Sequence, residues 1–139
     1  MTDALALVPD VVIATGTFKY VLLRVASAPS GGGGGGGGGS GGASGGASKL
    51  VVRGADKEFH KGVKQEAERA LRADPRTAAL SVTCPGGGRI RHEPALGKVF
   101  VYGYSNAYGV GDHAVACELI RRAFPAYRPE DVTWSNDGY

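Results

Sequence analysis

The stretch 50-LVVRGADKEFHKGVKQEAERALRADP-75 changes its period midway. Leu50, Val51 and Val52 make a short β-rich run that ends through Arg53 at Gly54, which reads as a strand. Beyond it, Phe59, Val63, Ala67, Ala70 and Leu71 fall on one stripe at helical spacing. Asp56 stands where an N-cap belongs, and Asp74-Pro75 stops the helix. A strand that gives way within a few residues to an amphipathic helix calls for a sheet covered by helices.

Working outward, 18-FKYVLLRV-25 alternates Lys19, Val21, Leu23 and Val25 with Phe18, Tyr20, Leu22 and Arg24, a second strand. Between the two lies 30-SGGGGGGGGGSGGASGGAS-48, built only of Gly, Ser and Ala. Such a segment buries nothing to offset its ordering entropy and is expected to be a disordered linker. Downstream, Ala79–Cys84, Arg89–His92 and Lys98–Tyr104 read as strands, with Gly86-Gly87-Gly88 as a turn between the first two. Asp112 is placed to cap a second helix, DHAVACELIRRAF, ending before Pro125, and Val132-Thr133-Trp134 supplies a last strand. The expected class is α/β of the α+β type: a single mixed sheet of about six strands with two main helices, one domain spanning residues 1–139.

The 139 residues, 42% of them apolar, suit one core. A net charge of +3 from scattered basic residues argues for local anion binding and against a nucleic-acid partner. The start, MTDALALVPDVVIATG, carries Asp3 and Asp10 and no basic lead, so neither a signal peptide nor a membrane span is expected, and the chain reads as cytoplasmic. Cys84 and Cys117 should then remain reduced.

Chemistry has three candidate seats. Where the chain turns through Gly54 towards His60, a helix N-terminus offers backbone N–H groups and the positive end of a dipole, which favours an anion beside a neutral imidazole; the plain alternative is a structural histidine. The loop Tyr104-Ser105-Asn106-Ala107-Tyr108-Gly109-Val110-Gly111, with a hydroxyl, an amide and two glycines, can aim amides at an anion, or merely turn the chain. The third, Cys84-Pro85-Gly86-Gly87-Gly88-Arg89, looks like the loop of a cysteine-dependent phosphatase. It holds one residue too few between Cys and Arg, however, loses an N–H at Pro85, and is followed by a strand pattern instead of a helix. Cys84 is better read as a packed thiol. His60, His92 and His113 lack the companions of a zinc motif, and no metal or cofactor is expected. His113 stands near enough to the Ser105 loop in sequence to line the same pocket. Lys19, Arg53 and Arg89, at or in strands, matter only if the sheet gathers them near His60.

Taken together, FKYVLLRV, VVRG ahead of His60, GGGRIRH, VYGYSNAYG and VTWSNDGY occur in an order that closely resembles the small phosphohistidine phosphatases, the Janus-like protein histidine phosphatase family. The resemblance covers nearly the whole chain except the glycine segment. It implies a monomeric, metal-independent hydrolase of the P–N bond of phosphohistidine, and of phospholysine, on proteins. It further implies His60 as the catalytic residue, Arg53 as an orienting group, Lys19 and Arg89 as basic neighbours, and Ser105 and Ala107 as phosphate-holding positions, Ala107 through its backbone. The chain departs from the family pattern at Phe59, where tyrosine is common, at Lys61, whose charge would tighten anion binding, and at Asn106. His60 is expected to act either as general base on water or as a nucleophile. A non-catalytic phosphoprotein-binding module and a Cys84 phosphatase are the competing readings.

Overall fold

β-Branched and aromatic side chains alternate along Gly16–Ala26, and in the computed structural model, which describes residues 4–27 and 47–136, this segment is a central strand. The elements in chain order are β1 (Val11–Ile13), β2 (Gly16–Ala26), β3 (Ser48–Ala55), α1 (His60–Ala73), β4 (Ser81–Glu93), β5 (Lys98–Tyr102), α2 (His113–Ala123) and β6 (Val132–Trp134). They build one six-stranded mixed sheet in the order β1-β3-β2-β4-β5-β6. β1 runs parallel to β3 and β6 parallel to β5, while the inner pairs are antiparallel.

Both faces of β2 are apolar because both are covered. Phe18, Tyr20 and Leu22 pack with Val52, Ile90, Val101, Cys117 and Ile120 beneath α2. Val21, Leu23 and Val25 pack with Val51, Val63, Ala67 and Leu71 beneath α1. The sheet is therefore a middle layer between helices, and each fully buried Leu or Ile in it contributes about 1.5–3 kcal/mol of apolar transfer. Lys19 heads the row Lys19, Val21, Leu23, Val25 and so lies on the α1 side of the sheet.

Several expectations need correction. The two strands expected at Ala79–Cys84 and Arg89–His92 are one strand, and Gly86-Gly87-Gly88 is no turn: these residues pair with Leu22, Val21 and Tyr20. Glycine is required there by close approach. A Cβ on Gly87 would lie 2.4 Å from the Tyr20 carbonyl oxygen, and one on Gly88 2.4 Å from that of Tyr102 and 2.9 Å from His113 Cε1. Helix α1 starts four residues after Asp56, with Phe59 in the N-cap position; Phe59 and Ala70, expected in the apolar stripe, are exposed. β1 was not expected; it is three residues long and depends on its partner β3. Of the expected linker, residues 30–46 lie outside the described residues, whereas Ser48 already belongs to β3, paired with Ala26. Asp112 does cap α2, its carboxylate accepting the Val115 amide at 3.2 Å.

Candidate functional site

His60 is the first residue of α1 and only 5% exposed. Its Nε2–H donates to the Gly88 carbonyl at 2.8 Å. A carbonyl only accepts, so this bond places the ring proton on Nε2 and leaves Nδ1 as the basic nitrogen. Burial lowers the His60 pKa below its ordinary 6.5; the Gly88 bond opposes the shift, and the charges of Lys19 and Arg89 add to it. The ring rests over the glycine run, where a Cβ on Gly87 would come within 3.2 Å of His60 Cδ2.

The two cations that act on His60 are register partners across β2 and β4, Lys19 opposite Arg89. Directly opposed like charges repel, and an anion seated between them turns that repulsion into attraction. A cleft of about 690 Å³ opens beside His60, lined by Lys19, Phe59, Lys61, Asn106 and Ala107 together with Lys57, Glu58, Gly62 and Gln65. The N-cap residue Phe59 gives α1 no side-chain cap and the first turn holds no acidic residue, so the N-terminal dipole faces this region unneutralised from within the helix.

Ser105 serves the loop from within. It is 2% exposed, and its Oγ accepts the amides of Ala107 at 3.2 Å and Tyr108 at 3.0 Å. Ser105 and Gly109 also exchange backbone bonds of 3.0 and 2.8 Å, with Gly109 at φ +86° closing the turn. This tight loop holds Asn106 and Ala107 in the cleft wall, while the Ala107 amide is directed at Ser105. Of the residues expected to contact the anion, the structure thus gathers His60, Lys19, Lys61, Asn106 and Ala107 around one cleft, with Arg89 beside Lys19 beneath it.

Arg53 lies elsewhere. Its guanidinium donates to the Val52 carbonyl at 2.9 Å and the Pro9 carbonyl at 2.8 Å, and burial pulls its pKa down to about 10 against the pull of Asp10. Lys49 Nζ donates to the Val8 carbonyl and to Asp10. These two β3 cations fasten the segment that carries β1 to the sheet edge.

Cys84 is half-buried outside the cleft, its thiol against the Gly86 carbonyl at 3.3 Å, and burial pushes its pKa up to about 11. A thiol so raised stays protonated at neutral pH, the reverse of an activated nucleophile. His113 does not share the His60 cleft. It lies on the α2 face, where Tyr20 Oη–H donates to its Nδ1 at 2.6 Å and its Nε2–H donates to the Gly103 carbonyl at 2.8 Å. His92 joins the Ala14 carbonyl to the Tyr127 hydroxyl. Among the described residues no three of His, Cys, Asp and Glu gather in a position to hold a metal ion, and no helix is long and apolar enough to cross a membrane.

Sequence reasoning missed Lys57, Glu58 and Gln65 in the cleft wall; their only signal was their place within five residues of His60. It also missed the Tyr20–His113 pair, which is 93 residues apart in the chain and had none.

The sequence profile of the Janus/Ocnus family (Ocnus) matches residues 5–128. The chain is 42% identical over 137 residues to the 14 kDa phosphohistidine phosphatase of Homo sapiens, covering 97% of this chain and 96% of that protein. It is 37% identical over 138 residues to the protein of the same name from Sus scrofa, covering 97% and 95%. It is 35% identical over 139 residues to the sex-regulated protein janus-A of Drosophila melanogaster, covering 99% of this chain and 86% of that one.

Proposed function

Because this chain belongs to the Janus/Ocnus family, we propose that it is a hydrolase of that family acting as a protein phosphohistidine phosphatase. The observation that carries the reading is His60: a buried neutral imidazole whose tautomer is set by the Gly88 carbonyl, beside two cations on the sheet below it. The P–N bond of a phosphoramidate is weak, so catalysis reduces to holding the phosphoryl oxygens, placing the attacking group in line and protonating the leaving imidazole. Lys19 and Arg89 balance the phosphoryl charge, with Lys61 and the α1 dipole adding positive potential. Arg53 acts at a distance by fastening the β1 segment to β3.

Two routes use the same lone pair. As base, His60 Nδ1 takes a proton from water while the water oxygen bonds to phosphorus and the P–N electron pair leaves with the substrate imidazole, which departs neutral because its other ring nitrogen carries a proton; Nδ1 then returns its proton to solvent. As nucleophile, Nδ1 itself bonds to phosphorus while the substrate P–N bond breaks and its electron pair leaves with the substrate imidazole; water then bonds to phosphorus, the Nδ1–P bond breaks with its pair returning to Nδ1, and phosphate is released. Rapid quench with labelled phosphohistidine separates them: label on His60 selects the covalent route, and its absence throughout turnover removes that route.

The protein substrates are phosphohistidine-bearing, with phospholysine as a further P–N target, and the enzyme works as a cytoplasmic monomer without a metal. His60→Ala is expected to lower phosphate release by roughly 10²–10⁴-fold or more with the fold retained. Full activity in that variant rejects the assignment, and phosphopeptide binding without phosphate release by the unaltered chain selects the binding module instead. Cys84→Ser retains most activity, since its thiol is protonated and outside the cleft. Release that persists in excess chelator supports the metal-independent reading; release that stops, and returns with added metal, rejects it.

A further inference from the structure

Phe59 is the most exposed large apolar side chain among the described residues, at 65%. It also holds the N-cap position of α1, with φ −130° and ψ 151° and no side-chain cap bond. Extended backbone of that kind suits Ser, Asp or Asn, whose side chains satisfy the first amides of a helix. A phenylalanine there forgoes the cap and leaves an aromatic ring in water, two costs to stability with no return in packing. Residues retained against stability concentrate at functional sites.

The place of the ring shows what it serves. Phe59 and His60 line the same cleft, but His60 is 5% exposed and Phe59 65%, so the histidine lies at the floor and the ring at the mouth. In-line displacement sends the leaving group away from the attacking atom. With attack coming from the His60 side, the imidazole of the substrate points outward, towards Phe59. Resting on the function proposed above, we infer that Phe59 is a specificity-determining residue whose ring packs against the leaving imidazole of phosphohistidine. A flat aromatic leaving group gains from such a contact, and a leaving group without a ring does not.

The test compares kcat/KM for a phosphohistidine peptide with kcat/KM for phosphoramidate, whose leaving group is ammonia. In Phe59→Ala the ratio of the two is expected to fall roughly three- to tenfold, the range an aromatic pair contributes. Phe59→Tyr, which keeps the ring, restores it. Phe59→Ser lowers the ratio in the same way while raising the melting temperature, because serine supplies the missing cap; this excludes misfolding as the cause of the loss. A ratio unchanged in Phe59→Ala, with both substrates still turned over, overturns the inference and leaves the phosphatase reading standing. Release of phosphate from neither compound by the unaltered chain overturns the phosphatase reading itself.

Discussion

At His60 the Gly88 carbonyl accepts a hydrogen bond from Nε2–H, so the lone pair resides on Nδ1 and protonation of Nδ1 ends its usefulness as base or nucleophile. Burial holds the His60 pKa below 6.5, and Lys19 and Arg89 hold it lower still. The sign is that of a depressed base: activity is full where the ring is neutral and falls as pH drops through the lowered pKa. Lys19→Gln removes one of the two depressing charges, so the acid limb of the kcat/KM profile should move to higher pH. KM should rise as well, because the same charge balances the phosphoryl oxygens. An acid limb that stays in place in Lys19→Gln would show that the titrating group is not His60.

Among the elements, β4 shows how glycine is misread. Three glycines between two apolar runs carry the signature of a turn, yet here they let a continuous strand run between His60 on one face and the Tyr20–His113 pair on the other. Gly88→Ala drives a Cβ against the Tyr102 carbonyl and His113 and should destabilise by on the order of 2–3 kcal/mol, read as a lowered urea midpoint. Gly62, inside α1, is the contrast. A Cβ there meets nothing closer than Lys57 Cβ at 3.6 Å, so Gly62→Ala should stabilise by roughly 0.5–1 kcal/mol. Equal effects from the two changes would refute the close-approach account. The same contrast explains what was legible. β2, β3, the buried stripe Val63, Ala67 and Leu71, the Asp112 cap and His60 at the start of a helix all rest on local period or local hydrogen bonding, which sequence carries. The glycine run, β1 and the seat of Arg53 depend on partners far along the chain. The spacing of Phe59 matches the stripe, but the helix begins only after it.

Across the whole molecule, the sheet separates two cores, and the helix covering each begins with a buried histidine: His60 in α1 and His113 in α2. Burial lowers both pKa values from 6.5. The unfolded chain therefore binds more protons than the folded one once pH falls below 6.5, so stability is full above that pH and declines as pH drops towards the folded values. The carboxyls held low, Asp74 by its bonds to Arg76 and Glu130 by its own backbone amide and Arg128, start from 3.8 and 4.5 and so act in a lower window. Urea unfolding at about pH 5 should accordingly give a lower midpoint than at about pH 7.5, before those carboxyls matter. In His60→Ala the difference should shrink and not vanish, the remainder belonging to His113. A midpoint that is flat across this range would mean that both rings accept protons as readily inside the fold as outside it, which refutes the depression of their pKa values by burial.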